Sequence, residues 1–243
     1  MRYKLIISYI GDNYSGFQKQ LNKITIQETL EKSLSEVLRE EISIVASGRT
    51  DAGVSAFMQV CHFDVTSEIN TQRTIGYTNR LLPGDIKILS IEKADEDFHA
   101  RYSAKEKTYE YYFYVGYESP IYDKVATYIG YNVNIDEMKS ACNCFLGEHD
   151  FSAFCASNTE VKTKVRKILD IKIIDIDENL FKLSITGNGF LYNMVRIIMG
   201  TLVSVGLGKI KKDDIVQIIN SKDRSNAGKT MPSKGLYLKK VIY

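Results

Sequence analysis

Tryptophan is absent from this chain, and proline nearly so, with three residues in 243. Together with only 16 glycines, that scarcity excludes a collagen-like or Pro/Gly-rich low-complexity chain, and an apolar content of 44% excludes an intrinsically disordered one. Long hydrophobic runs are also missing. The longest, Met194 to Leu207, is broken by Arg196, whereas a membrane span needs about 18 uninterrupted apolar residues. The apolar segment after Lys4 ends at Gly11 with no small-residue cleavage site, so a secretory signal is not expected.

Cysteine and histidine are few and scattered. Cys61, Cys142, Cys144 and Cys155 follow no zinc spacing, because Cys-x-Cys lacks the reach of Cys-x-x-Cys and no second pair exists. Reduced thiols in the cytoplasm are the expected state. No two of His62, His99 and His149 lie four residues apart, so a shared helical metal site is not expected, and no metal is. The net charge of +2 neither demands nor excludes a polyanionic partner. Lys162, Lys164, Arg166 and Lys167 form one basic cluster and Lys209, Lys211 and Lys212 another; runs of this kind are usually solvated surface, although a phosphate backbone would want the same residues.

What is present is an alternation of strands and helices. Tyr3, Leu5, Ile7 and Tyr9 alternate as one apolar strand face. Thr25 to Glu28 resembles a capping box, and Ile26, Leu30, Leu34, Val37 and Leu38 recur at helical spacing, which predicts a helix over 26–40. Strands are expected near 42–46, 57–65, 85–91 and 109–115. A helix capped by Asp136 follows, then a hairpin over 168–186 turning at Asp177 to Asn179. Leu191 to Val205 is apolar nearly all round, the mark of a buried helix, and a short helix opens at Asp213. Antiparallel hairpins with helices between them give an α+β class in two halves, with a boundary near residue 105: 1–105 and 106–243.

Three residues could carry chemistry. Arg196 sits within Met194 to Met199 on the buried helix; its guanidinium cannot shed its charge, so it forms a structural ion pair, snorkels outward, or aims a catalytic carboxylate. Asp51 lies in Ser47-Gly48-Arg49-Thr50-Asp51-Ala52-Gly53, where it either completes a turn or is presented in a cleft. Tyr109 lies on the alternating aromatic strand and either packs a sheet face or meets a substrate.

The stretch from Gly48 to Val54 resembles the active-site loop of the pseudouridine synthases that act on the tRNA anticodon stem and loop, the TruA family. Other matches follow in order: Tyr9, Gly11, Tyr14, Gly16 and Gln18; Gln59 with His62-Phe63; Asn79, Leu82-Pro83 and Asp85-Ile86; Phe98 to Arg101 through Lys107, Tyr109 and Tyr111; Gly147 to Phe151; Phe190 to Arg196; and Gly235 to Leu238. The resemblance covers essentially the whole chain. Three departures stand out: Phe17 where Trp is usual, Ser55 where His is usual, and Met231-Pro232-Ser233 in place of Ala-Pro-Ala.

The resemblance implies the pseudouridine synthase fold, two related α/β subdomains with antiparallel or mixed sheets, flanking helices and a central RNA-binding cleft. It implies isomerisation of uridine to pseudouridine at tRNA positions 38–40, without cofactor or metal, by a cytoplasmic homodimer. Asp51 becomes the essential carboxylate, either nucleophile at C1′ or base at C2′. Arg196 keeps it ionised, and Tyr109 stacks on the flipped uracil and helps remove the C5 proton. Arg49 fills the vacated stack, or else contacts a phosphate or forms a surface salt bridge. Lys107, Arg101, Gln18 and Phe17 are expected to meet RNA, as is the 162–167 cluster, while His99 and His149 are read as structural. The same chemistry on another RNA, such as ribosomal RNA, and a noncatalytic RNA-binding role are the alternatives at this point.

Overall fold

The computed structural model describes residues 1–156 and 161–243. They divide into two compact units, Met1–Lys105 with Tyr237–Tyr243, and Glu106–Leu236. The last strand, read from sequence as part of the second half, therefore groups with the first unit.

In the first unit, β1 (Arg2–Tyr9) turns Tyr3, Leu5, Ile7 and Tyr9 into the core and leaves the alternate residues half-buried. Each buried aliphatic side chain contributes about 1.5–3 kcal/mol relative to exposure. Helix α1 (Ile26–Leu38) begins at Thr25, whose side-chain oxygen accepts the Glu28 N–H at 3.3 Å, and brings Ile26, Leu30 and Leu34 inward. A two-residue strand β2 (Val45–Ala46) pairs with β3 (Ser55–Asp64). Helix α2 (Thr71–Leu81), not expected from sequence, starts at Asn70, whose Oδ1 accepts the Arg73 N–H, and buries Thr74 and Thr78.

β1 pairs antiparallel with β3 on one side and with β4 (Ile86–Lys93) on the other. The closing strand, Leu236–Ile242, runs parallel to β3 with Tyr237 opposite Ser55. The sheet order in this unit is thus β4, β1, β3, closing strand.

The second unit is built on β5 (Glu106–Tyr114), beside which a short β6 (Thr127–Tyr128) runs parallel. Helix α3 (Ile135–Ala141) is capped by Asn134 Oδ1 accepting the Glu137 N–H at 3.1 Å, so the capping residue is Asn134 and not Asp136. Strands β7 (Gly147–Asp150), β8 (Val165–Asp175) and β9 (Leu180–Gly187) continue an antiparallel sheet in which β9 lies between β8 and β5. Helix α4 (Met194–Gly206) is buried along almost its whole surface, as its composition predicts. It is followed by α5 (Asp214–Ser221), and the closing strand is β10.

Candidate active site

The loop carrying Asp51 is fixed residue by residue. At its start, the Ser47 N–H donates to the Val60 carbonyl, and Ser47 Oγ meets Gln59 Oε1 at 2.6 Å. Gln59 Nε2 then reaches the Gly48 carbonyl at 2.9 Å. Gln59 is fully buried, so one amide on β3 pins two consecutive loop residues.

Thr50 is held from two sides: its hydroxyl shares a hydrogen bond with Tyr9 Oη at 2.8 Å, and its carbonyl accepts the Phe17 N–H at 3.0 Å. The Val54 N–H closes the turn onto the Asp51 carbonyl at 3.1 Å. Asp51 itself is half-buried between these anchored neighbours.

Glycine is required beside the loop for space. A Cβ on Gly16, whose φ is +97°, would approach the Thr50 carbonyl oxygen to 2.9 Å. A Cβ on Gly11 would strike the Val54 carbonyl.

Two of the departures acquire packing roles here. Ser55 is 3% exposed, and its hydroxyl accepts the Gly11 N–H at 3.0 Å. Phe17 is 2% exposed with its ring beside Tyr9; it supports the loop from within and offers no open face to RNA, contrary to the contact expected of it. Arg49, Gln18 and Arg101 are all exposed on this same unit.

The second unit holds Tyr109, Lys107 and Arg196. Tyr109 lies on β5 opposite Ile185, is 9% exposed, and meets Phe190 edge-on at 5.2 Å. Lys107, at the start of β5, is half-buried opposite Gly187.

Arg196 is half-buried on the otherwise buried α4. Its Nε donates to the Met231 carbonyl at 2.6 Å and its Nη1 to Asn193 Oδ1 at 2.8 Å. Asn193 occupies the left-handed region at φ 61°, which Asn tolerates better than most residues.

Tyr111, two residues beyond Tyr109, donates to the Pro232 carbonyl at 2.8 Å and lies 2.9 Å from Thr127 Oγ1. Burial pushes its phenol up to about 12, against the opposing effects of the Thr127 hydrogen bond and the Arg196 charge. Arg196 and Tyr111 thus use the main-chain carbonyls of Met231 and Pro232. That explains why the third departure, in the side chains of 231–233, leaves this arrangement in place.

The sequence profile of the tRNA pseudouridine synthase family matches residues 5–103 and 141–243. The chain belongs to the tRNA pseudouridine synthase family. It is 45% identical over 240 residues to tRNA pseudouridine synthase A of Caldicellulosiruptor bescii, covering 98% of each chain. To tRNA pseudouridine synthase A of Bacillus subtilis it is 44% identical over 246 residues, covering 100% of this chain and 99% of that one.

Membership makes the chain an isomerase. Asp51 and Arg196 fall in the two segments that match the family, and Tyr109 and Lys107 in the stretch between them. Among solved structures, an archaeal box H/ACA Nop10–Cbf5 complex is similar at 13% identity and a TM-score of 0.38, covering 92% of this chain and 59% of that chain.

Sequence reasoning missed Gln59, Tyr9 and Thr50 as the residues that hold the loop. The first two were visible only as members of a family pattern.

Proposed function

We propose that this isomerase converts uridine to pseudouridine in the anticodon stem and loop of tRNA, at positions 38–40, with Asp51 as the essential carboxylate. The observation that supports the reading is the fixation of the loop that carries Asp51. The backbone that carries this carboxylate is held at Thr50 and at the Val54 turn onto the Asp51 carbonyl before substrate arrives, and preorganisation of this kind is what lowers a barrier.

In the reaction the C1′–N1 glycosidic bond breaks, the uracil turns, and a C1′–C5 bond forms. The C5 proton leaves and N1 gains one, so nothing is oxidised or reduced. Asp51 acts as nucleophile at C1′ or as base at C2′.

The target must leave the stack before its sugar is reachable, and Arg49, exposed two residues before Asp51, is assigned to the space it vacates. Tyr109 takes the uracil and assists loss of the C5 proton. Arg196 is the counter-charge that keeps the carboxylate ionised. Lys107, Arg101, Gln18 and the 162–167 cluster contribute RNA contacts, with most affinity coming from phosphates. A cytoplasmic homodimer completes the reading.

The test is tritium release from C5 of uridine in an unmodified tRNA transcript. Release is expected from the wild type and not from Asp51→Asn. Equal release from both would remove Asp51 from the chemistry, and release from ribosomal RNA alone would move the substrate.

A further inference from the structure

Strand β3 carries one residue too many where it leaves the Asp51 loop. Ile7 pairs with Gln59 and Tyr9 with Ala56, so Phe57 and Met58 together face the single residue Ser8. Two residues opposite one is a β-bulge, a feature common beside active sites, where it re-aims side chains. Its effect here is to break the alternation of β3: Phe57 is 37% exposed and Met58 41%, adjacent in sequence and both turned to solvent. On a regular strand one of the pair would have joined Gln59 in the interior.

The bulge is backed by β10. Tyr237 stacks on the Phe57 ring at 5.3 Å with the planes 29° apart. Lys239 Nζ lies 4.3 Å from the Phe57 centroid, within the range of a cation–π contact. Asp12 lies close enough to Tyr237 to help raise its phenol, after burial itself. A cation and two rings therefore form a small platform, with the exposed Met58 next to Phe57 in the chain. Aromatic rings interleaved with a basic side chain are how proteins hold unpaired bases and their phosphates.

We propose that the Phe57–Met58 bulge is a substrate-positioning platform: it takes an unpaired base flanking the reacting uridine, while Lys239, held against the Phe57 ring, meets that nucleotide's phosphate. This rests on the reading of the chain as an RNA isomerase and names residues that would position the RNA without taking part in bond making.

The absence of tryptophan makes a direct test available, because Phe57→Trp places the sole indole of the protein in the platform. Titration with unmodified tRNA transcript should quench its emission through base stacking. A Tyr117→Trp control, at a site 83% exposed on the other unit, should not be quenched. In steady-state assays Phe57→Ala should raise KM roughly ten-fold with kcat within about threefold of wild type, and Phe57→Trp should restore KM.

Unquenched emission with tRNA demonstrably bound by mobility shift, or a wild-type KM in Phe57→Ala, overturns the platform while leaving the isomerase reading untouched. Quenching without any tritium release from the wild type leaves a bulge that stacks on RNA but overturns its role in positioning a reacting uridine, together with the isomerase reading. Failure to bind tRNA at all overturns both. Because the quenching is read in a variant that keeps a large aromatic at the bulge, instability of Phe57→Ala does not decide the outcome.

Discussion

Arg196 and Met231 are joined twice: Arg196 Nε donates to the Met231 carbonyl at 2.6 Å, and the Met231 N–H donates back to the Arg196 carbonyl at 3.2 Å. Side chain and backbone of one residue are thereby fixed to the backbone of the other. The guanidinium is held by position as well as by charge, and a lysine, with one rotatable ammonium, cannot reproduce the fork. Nη1 completes the arrangement on Asn193 Oδ1.

Removing that last acceptor isolates the orientation of Arg196 from the stability of α4. In Asn193→Gly the left-handed φ of 61° costs nothing sterically, and both bonds to Met231 remain. The variant is expected to melt within about 4 °C of wild type, the shift produced by roughly 1 kcal/mol in a chain of this size, while pseudouridine formation slows at least ten-fold. Asn193→Ala should slow equally and lose a further 1–2 kcal/mol or so to backbone strain. Wild-type turnover in Asn193→Gly would mean that the Asn193 bond is dispensable for orienting the guanidinium.

The segment that delivers Met231 is set by a close crossing. A Cβ on Gly200 of α4 would fall on the Lys229 carbonyl oxygen, and one on Gly228 would strike the Gly200 backbone, while Thr201 Oγ1 accepts the Gly228 N–H at 2.9 Å. In an open helix, Gly→Ala stabilises by about 1 kcal/mol. For Gly200→Ala the sign should reverse, with a loss of about 2 kcal/mol or more from overpacking, read as a lower urea midpoint. An unchanged or raised midpoint would show that the 228–229 segment can withdraw at little cost.

The parts of the fold that were legible are those whose signal is local. Thr25 and the spacing of Ile26, Leu30 and Leu34 announce α1 because cap and apolar stripe lie within one short window. Helix α2 was silent since the residues it buries, Thr74 and Thr78, are polar and give no apolar period. Asn134 displaced Asp136 as the cap of α3 because both are good capping residues and only the chain's path chooses between them. At the site, the glycines around Asp51 marked the loop. Its fixation by Gln59 and Tyr9 could not be read, since those bonds span 11 and 41 positions. The Phe57–Met58 bulge was equally hidden: it exists only in the register between two strands.

His62 makes a prediction about acid stability. It is 4% exposed on β3, and its Nδ1 accepts the Ala100 N–H at 3.1 Å, so the native imidazole is neutral with its proton on Nε2. Burial, helped by the nearby charges of Arg2 and His99 and opposed by Asp64, pushes the group down to about 4. In the unfolded chain it titrates near 6.5. Between those values the unfolded state binds a proton that the native state refuses, so stability rises with pH there. The contribution is present in full above about 6.5 and is lost as pH falls toward 4, at most about 3 kcal/mol at 1.36 kcal/mol per unit. His62→Asn supplies an oxygen that can still accept the Ala100 N–H but cannot titrate. Urea unfolding of both proteins from pH 7.5 to pH 4.5 should show the wild type losing about 2 kcal/mol more than the variant. Carboxylates such as Asp64, held by Arg2 through two hydrogen bonds, are common to both proteins and largely cancel in the comparison. Two parallel curves would mean that His62 takes up its proton equally well folded and unfolded, and that the Ala100 bond, which the protonated ring cannot accept, is dispensable in acid.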